Sequence, residues 1–158
     1  LLARERNARV RGIEADPLKV LACVRRGLSV VQGEPEHCLA DFPAQSFDYV
    51  VLSHSLLGIR DPQKTLRAAA RAGERVIVSA ENAGHWRARL RHLASGRLQS
   101  WRGEAVCTVR DFVALARSAN LNVERATPIG AGRHGAPFAR VLWRANWFAE
   151  RAVFLLAS

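Results

Sequence analysis

The stretch that decides the fold is Phe47-Asp48-Tyr49-Val50-Val51-Leu52-Ser53, an apolar run interrupted by a single acid. A nearly continuous series of β-branched and aromatic residues is typical of a strand buried on both faces of a parallel sheet. Polar residues follow at once, because Ser53 is succeeded by His54 and Ser55. The run therefore predicts an inner strand whose carboxyl end carries polar side chains.

Short helices and strands alternate on either side of this run. Two Asp-Pro pairs, at 16–17 and 61–62, have the composition of helix starts, with aspartate as the cap and proline in the first turn. Apolar runs from Val10 to Glu14, from Leu28 to Gln32 and from Arg75 to Ala80 predict further strands. The alternation predicts an α/β protein with a doubly wound, mostly parallel Rossmann-like sheet and helices on both faces.

The last third of the chain predicts one capped helix and two final strands. Residues from Thr108 to Asn120 have helical spacing, with Thr108 as the N-cap and Asp111 completing a capping box. The runs from Asn122 to Thr127 and from Arg151 to Leu156 have the composition of strands. We expect these two strands to pair antiparallel.

Composition narrows the class of protein. The chain has 158 residues, 49% hydrophobic and 24% charged, and no linker or repeat, so residues 1–158 are predicted to form a single domain. No apolar run reaches the roughly 20 residues that cross a bilayer, so no membrane protein is expected. Three cysteines without paired spacing predict neither a disulfide framework nor a metal site, and a reducing cytoplasm is the expected compartment.

The net charge of +10 has two interpretations. Twenty-four Lys and Arg residues against 14 acids would suit a nucleic-acid surface, but the arginines are spread along the chain, which favours an ordinary solvated surface. One basic cluster, from Arg87 to Arg97, has Trp86 and Trp101 at its sides and could bind nucleic acid by stacking. An amphipathic helix is favoured there, because Trp86, Leu90 and Leu93 share one helical face. Nucleic acid is therefore not the expected partner.

Two strand ends carry acids suited to binding a nucleoside. Glu14 ends the first strand, where doubly wound nucleotide-binding folds have an acid that accepts hydrogen bonds from both ribose hydroxyls. A solvated acid beside a helix N-terminus is the alternative. Gln32, Gly33 and Glu34 stand at the end of the second strand, where glycine permits close approach of a flat ring and the acid can accept from an exocyclic amine. A plain turn is the alternative there.

A third strand end carries polar residues at the edge where such sheets bind ligands. Ser53 and His54 follow the apolar run directly. A general-base role for His54 competes with that of a polar residue closing a loop, and the second interpretation is favoured. No catalytic residue is assigned.

Several segments together resemble one family. Gly33-Glu34, Leu39 to Pro43 and Gln45 to Ser53 are similar to the second half of a class I S-adenosylmethionine-dependent methyltransferase core. Three further segments resemble the MetW family of methionine biosynthesis proteins in particular: Gly84 to Leu90, Cys107 to Phe112 and Glu150 to Leu156. The resemblance extends from about Gly12 to the end of the chain.

The resemblance implies a domain that binds S-adenosylmethionine, with S-adenosylhomocysteine as the product of any methyl transfer to an unidentified acceptor. By position, Glu14 would hold the ribose hydroxyls and Ala15 would lie near the adenine. Glu34, where the family usually has Asp, would face the adenine amine, and Ser53 and His54 would lie near the methionine moiety.

The family is associated with homoserine O-acetyltransferase. A non-catalytic partner of that enzyme is therefore the second hypothesis. A nucleic-acid-binding or nucleic-acid-modifying methyltransferase, suggested only by the charge, is the third.

The chain departs from the family pattern in two places. The family opens with a strand and an Asp-x-Gly-x-Gly turn, and nothing similar precedes Val10. Since the chain also contains no methionine, upstream sequence is expected. Without that strand we expect two half-sheets with unpaired edges. The stretch between Gly96 and Cys107 is also shorter than the family's insert.

Overall fold

The structure, a computed structural model, describes residues 7–53, 56, 59–82, 85–86, 90, 108–129 and 149–157. The chain divides into two compact units, an amino-terminal unit (Leu1–Phe42) and a carboxy-terminal unit (Pro43–Ser158). The elements of the described residues are, in chain order, β1 (Gly12–Glu14), α1 (Pro17–Arg25), β2 (Val30–Gln32), α2 (Pro35–Asp41), β3 (Phe47–Ser53), α3 (Pro62–Ala72), β4 (Gly73–Glu81), α4 (Val109–Ser118), β5 (Asn122–Ile129) and β6 (Arg151–Ala157).

The amino-terminal unit contains a two-stranded parallel sheet and two helices. Strands β1 and β2 are shorter than predicted and end with Glu14 opposite Gln32. Helix α1 begins as predicted, because the Asp16 carboxylate accepts a hydrogen bond from the Leu18 amide at 2.8 Å. The helix is followed by Gly27, whose φ of +72° is a conformation that favours glycine.

Helix α2 has no counterpart in the sequence prediction. It spans seven residues and buries only Leu39, so its sequence contains no repeated apolar stripe. Pro35 occupies its first turn, as at the other two helices that follow an acid-proline pair.

The carboxy-terminal unit contains a four-stranded sheet in the order β3-β4-β6-β5. Strands β3 and β4 are parallel, and β6 runs antiparallel to both of its neighbours. The antiparallel pairing of the last two strands is confirmed, with β5 continuing through Pro128 to Ile129. A mostly parallel sheet is therefore only partly shown: β1–β2 and β3–β4 are parallel, whereas β4–β6 and β6–β5 are antiparallel. The described strands form two separate sheets, one in each unit.

The core of the carboxy-terminal unit lies between one sheet face and the helices α3 and α4. Phe112 of α4 stacks on Phe154 of β6 with ring centroids 4.1 Å apart, and both rings are fully buried. Val76 and Val78 of β4 lie on the same buried face, and Leu66 of α3 is fully buried as well. Burial of each large apolar side chain contributes about 1.5–3 kcal/mol, so this layer supplies most of the unit's stability.

The prediction that the strand at 47–53 is buried on both faces is wrong for the described residues. Leu52 is 6% exposed, whereas Tyr49 and Val51 on the opposite face are each 51% exposed. The reason is that Leu52 pairs with Val78, which pairs with Phe154, so Leu52 lies on the sheet face on which α4 packs. A long apolar run reports β-propensity and affinity for a core, but it does not report how many faces are covered.

A close approach at the start of β4 requires glycine. A Cβ on Gly73 would lie 2.7 Å from Cγ2 of Val50 on the neighbouring strand. The turn from α3 into β4 therefore admits no side chain at this position without displacing β3.

Asn82, directly after β4, joins three segments through one buried side chain. Its Nδ2 donates to the carbonyl oxygen of Ala149 at 2.8 Å, and its Oδ1 accepts from the amide of Val109 at 3.4 Å. Its own amide donates to the carbonyl of Glu150 at 2.9 Å. The end of β4, the start of α4 and the start of β6 are thus held together at one end of the sheet.

Candidate functional site

The carboxylate of Glu14 is oriented by the backbone that follows it. Its Oε1 accepts a hydrogen bond from the Asp16 amide at 3.1 Å, and Nζ of Lys19 lies 3.9 Å from the same oxygen. The side chain is 33% exposed, so the group is accessible from solvent. Among the described residues, Oε2 has no hydrogen-bond partner, which leaves this oxygen able to accept from a ligand.

The turn after β2 lies directly beside Glu14. The Gly33 amide donates to the Glu14 carbonyl at 3.1 Å, which extends the β1–β2 ladder by one step. A Cβ on Gly33 would lie 2.5 Å from Sγ of Cys38, so a larger residue would have to displace the Cys38 side chain. The structure thus brings together Glu14 and Gly33, which the sequence singled out separately.

Glu34 stands at the N-cap position of α2 but does not cap it. The side chains of Asp16, Asp61 and Thr108 each accept a hydrogen bond from a backbone amide of the helix that they precede, whereas Glu34 makes no such bond. Glutamate is not among the favoured N-cap residues, because its longer side chain does not match the first-turn amides. Its exposed carboxylate therefore remains beside Gly33 without a role in the helix.

The other three predicted site residues are Ala15, Ser53 and His54, and they do not all lie at the β1–β2 edge. Ala15 is exposed and follows Glu14 directly at the same edge. Ser53 ends β3 in the carboxy-terminal unit, and its Oγ accepts a hydrogen bond of 3.4 Å from Oγ of Ser79, its partner on β4. His54 lies outside the described residues, so its predicted position stays a prediction.

Two polar residues, Gln32 and His85, lie in segments that the sequence analysis noted, but it gave neither of them a role. Gln32 is the last residue of β2 and the register partner of Glu14. His85, 7% exposed, follows β4 by a few residues, and its amide donates to the carbonyl of Asn82 at 3.2 Å. The rule that drew attention to Ser53, a polar residue just after a buried strand, would also have found Asn82.

Little of the basic cluster can be compared with its prediction. Trp86 and Leu90, four residues apart, are 41% and 59% exposed, and the other residues from 87 to 107 lie outside the described part of the chain. Within the described residues, no group of His, Cys, Asp and Glu could hold a metal ion, and no helix is long and apolar enough to cross a membrane.

This arrangement of elements defines a class, the Rossmann-like fold of S-adenosylmethionine-dependent methyltransferases. A possible histamine N-methyltransferase from Thermotoga maritima superposes with a TM-score of 0.70 at 15% identity, over 93% of this chain and 72% of that one. A putative methyltransferase solved with the Haloferax volcanii Trm112 activator gives 0.69 at 15% identity, over 99% and 75%. The [4+2]-cyclase SpnF gives 0.68 at 16% identity, over 99% and 69%. At such identities the likeness shows the fold alone.

The chain belongs to the MetW family, since the model described as methionine biosynthesis protein MetW matches residues 1–156. A curated relative is the bifunctional methionine biosynthesis protein MetXA/MetW of Rhodopirellula baltica, 29% identical over 96 residues. The match covers 61% of this chain but only 15% of the relative, so the chain spans a small part of that protein's length.

Proposed function

We propose that this MetW protein binds S-adenosylmethionine, and S-adenosylhomocysteine as product, at the carboxyl edge of β1 and β2. One observation carries the proposal: the Glu14 carboxylate, oriented by the Asp16 amide, lies at the end of β1 with Gly33 bound to its own carbonyl. An accessible carboxylate at this strand end is what a ribose diol requires.

The chemistry of this edge fits the rest of the nucleoside as well. Glu34 carries a carboxylate that its helix does not use, so it can accept a hydrogen bond from the adenine amine. The small side chain of Ala15 leaves room for a flat ring. Ser53 and His54 are proposed to lie near the methionine moiety, by analogy with the family pattern.

Methyl transfer is the reaction that S-adenosylmethionine would supply, from its sulfonium to an acceptor. No residue is assigned as base, because orientation of the two reactants can account for much of the acceleration of such a transfer. The fold does not decide the reaction: a [4+2]-cyclase shares it.

A second candidate function is that of a non-catalytic partner of homoserine O-acetyltransferase. The observation in its favour is that a curated relative joins MetXA and MetW in one bifunctional protein. Co-elution of this protein with that acetyltransferase in size-exclusion chromatography tests the association, and a mixture that elutes as two separate peaks contradicts it.

Calorimetric titration with S-adenosylhomocysteine tests the binding site. We expect Glu14→Ala to weaken binding roughly 10- to 100-fold, because a hydrogen bond to a charged group contributes about 1.5–3 kcal/mol. Glu74→Ala is the matched control, since Glu74 is an exposed glutamate on β4 and belongs to the other unit. Unchanged affinity in Glu14→Ala, or no binding by the folded wild-type protein, contradicts the proposal.

A further inference from the structure

We propose that Gln32 is a second residue that binds the ribose diol, and that it makes the site selective for ribonucleosides over deoxyribonucleosides. The inference rests on the proposed binding of S-adenosylmethionine at Glu14. The register of the two strands places these residues opposite each other: Glu14 and Gln32 form the last pair of the parallel β1–β2 ladder. Paired residues of a ladder carry their side chains on the same face of a sheet, about 5 Å apart.

The two side chains differ in how much of their hydrogen-bonding capacity is already engaged. Oε1 of Glu14 accepts from the Asp16 amide and has Lys19 beside it. Gln32 is exposed, and its side-chain amide group makes no hydrogen bond to any other described residue. A side-chain amide at the end of a strand, on the face of an oriented carboxylate, is therefore available to a ligand that reaches Glu14.

The chemistry of a ribose diol requires both kinds of partner. Each hydroxyl donates one hydrogen and also carries lone pairs that can accept. A carboxylate accepts only, so Glu14 satisfies the hydrogens and leaves the lone pairs to water. The Nε2 group of Gln32 supplies two donors and its Oε1 a further acceptor. Glu14 and Gln32 together can therefore satisfy a diol in both directions, which Glu14 alone cannot do.

Lys19 is the other hydrogen-bond donor near Glu14, but it is less suited than Gln32 to bind the ribose hydroxyls. Its side chain is 67% exposed and its Nζ lies 3.9 Å from the carboxylate, a pairing that solvent screens. The residue also stands on α1 and not on the strand that pairs with β1. A site built to bind a hydroxyl rejects the analogue that lacks it, because its polar groups then lose their partner. Selectivity is accordingly expected to depend on Gln32.

The test measures the affinity of wild-type protein and of each variant for two ligands, S-adenosylhomocysteine and its 2′-deoxy form. Comparing the effect of each substitution on the two ligands isolates the contact between the residue and the hydroxyl. We expect Gln32→Ala to weaken binding of S-adenosylhomocysteine about three- to tenfold, the contribution of one neutral hydrogen bond, and to weaken binding of the 2′-deoxy form, which keeps only the 3′-hydroxyl, by a smaller factor. Gln32→Glu removes the donor and adds a charge beside Glu14, so it should weaken S-adenosylhomocysteine binding more than Gln32→Ala. Val31→Thr is the control, because neighbouring residues of a strand point to opposite faces.

The outcomes separate this inference from the one on which it rests. Wild-type affinity in Gln32→Ala, or an equal loss with both probes, overturns the role of Gln32 while a loss in Glu14→Ala still supports the binding site. Unchanged affinity in Glu14→Ala overturns the site itself. Circular dichroism of each variant shows that it is folded, and the exposed position of Gln32 makes a folding defect unexpected.

Discussion

The two units of this protein differ in how they are stabilised. In the described residues of the amino-terminal unit only Leu39 is a buried apolar side chain, and α1 buries none. The carboxy-terminal unit has a continuous core around Phe112 and Phe154. Yet the acids and the glycine turn proposed to bind the nucleoside lie in the amino-terminal unit. The residues proposed to bind the ribose and the adenine are therefore in a different unit from the stabilising core, and substitutions should separate the two properties.

The largest loss of stability is expected from a substitution at the centre of the core. Phe112→Ala removes a fully buried ring from its stack on Phe154, and we expect the free energy of unfolding to fall by about 3–5 kcal/mol. Leu18→Ala in α1 is the matched control: Leu18 is 76% exposed, so the change should stay within about 0.5 kcal/mol. Urea unfolding measures both. A cost for Leu18→Ala close to that of Phe112→Ala would mean that α1 packs in solution, and the contrast between the units would be lost.

A second substitution tests the polar link at the end of β4. Asn82→Ala leaves the Val109 amide and the Ala149 carbonyl without their partner, at a cost of about 1–3 kcal/mol. Asn82→Asp replaces the donor to the Ala149 carbonyl with a buried carboxylate oxygen, so it should destabilise the protein at least as much as Asn82→Ala. Asn122→Ala, at an exposed position, is the control in thermal unfolding. If the control and Asn82→Ala shift the transition equally, Asn82 does not hold the three segments.

The smallest effect is expected at the helix caps, and one cap from each unit is compared. Thr108 and Asp111 form a reciprocal capping box on α4, with the Thr108 amide 2.9 Å from Oδ2 of Asp111. Thr108→Ala should lower the free energy of unfolding by about 1 kcal/mol. Asp16→Ala removes a similar cap from α1, and its loss should appear mainly as faster amide hydrogen exchange within α1. Arg110→Ala, an exposed change in the first turn of α4, is the control. Equal global destabilisation by both cap variants would show that the two units unfold together.

Much of the fold follows from local sequence because its signals act over a few residues. Asp16, Asp61 and Thr108 begin helices as predicted, since a cap needs only an oxygen and the amides two or three residues on. The strand at 47–53 is found with the predicted bounds. Helix α2 escaped prediction because one buried residue in seven leaves no periodic signal.

The candidate site also contains residues that the sequence could identify and residues whose contacts it could not predict. Glu14, Gly33 and Glu34 could be named because an acid or a glycine at a strand end is visible in the sequence. The contacts of Gln32 and Asn82 could not be predicted from the sequence, because their partners are distant in the chain. Gln32 is the partner of Glu14 only through the register of two strands, and Asn82 contacts residues at 109 and 149.

The sequence by itself determined the family, the α/β class, three helix caps and the antiparallel final strands, because each depends on residue types at short spacing. Tertiary structure alone decided which face of β3 is covered, which residue stands opposite Glu14 and where the core lies. Those properties depend on strand register and on which helices pack on which face, and both are set by contacts between residues far apart in the chain.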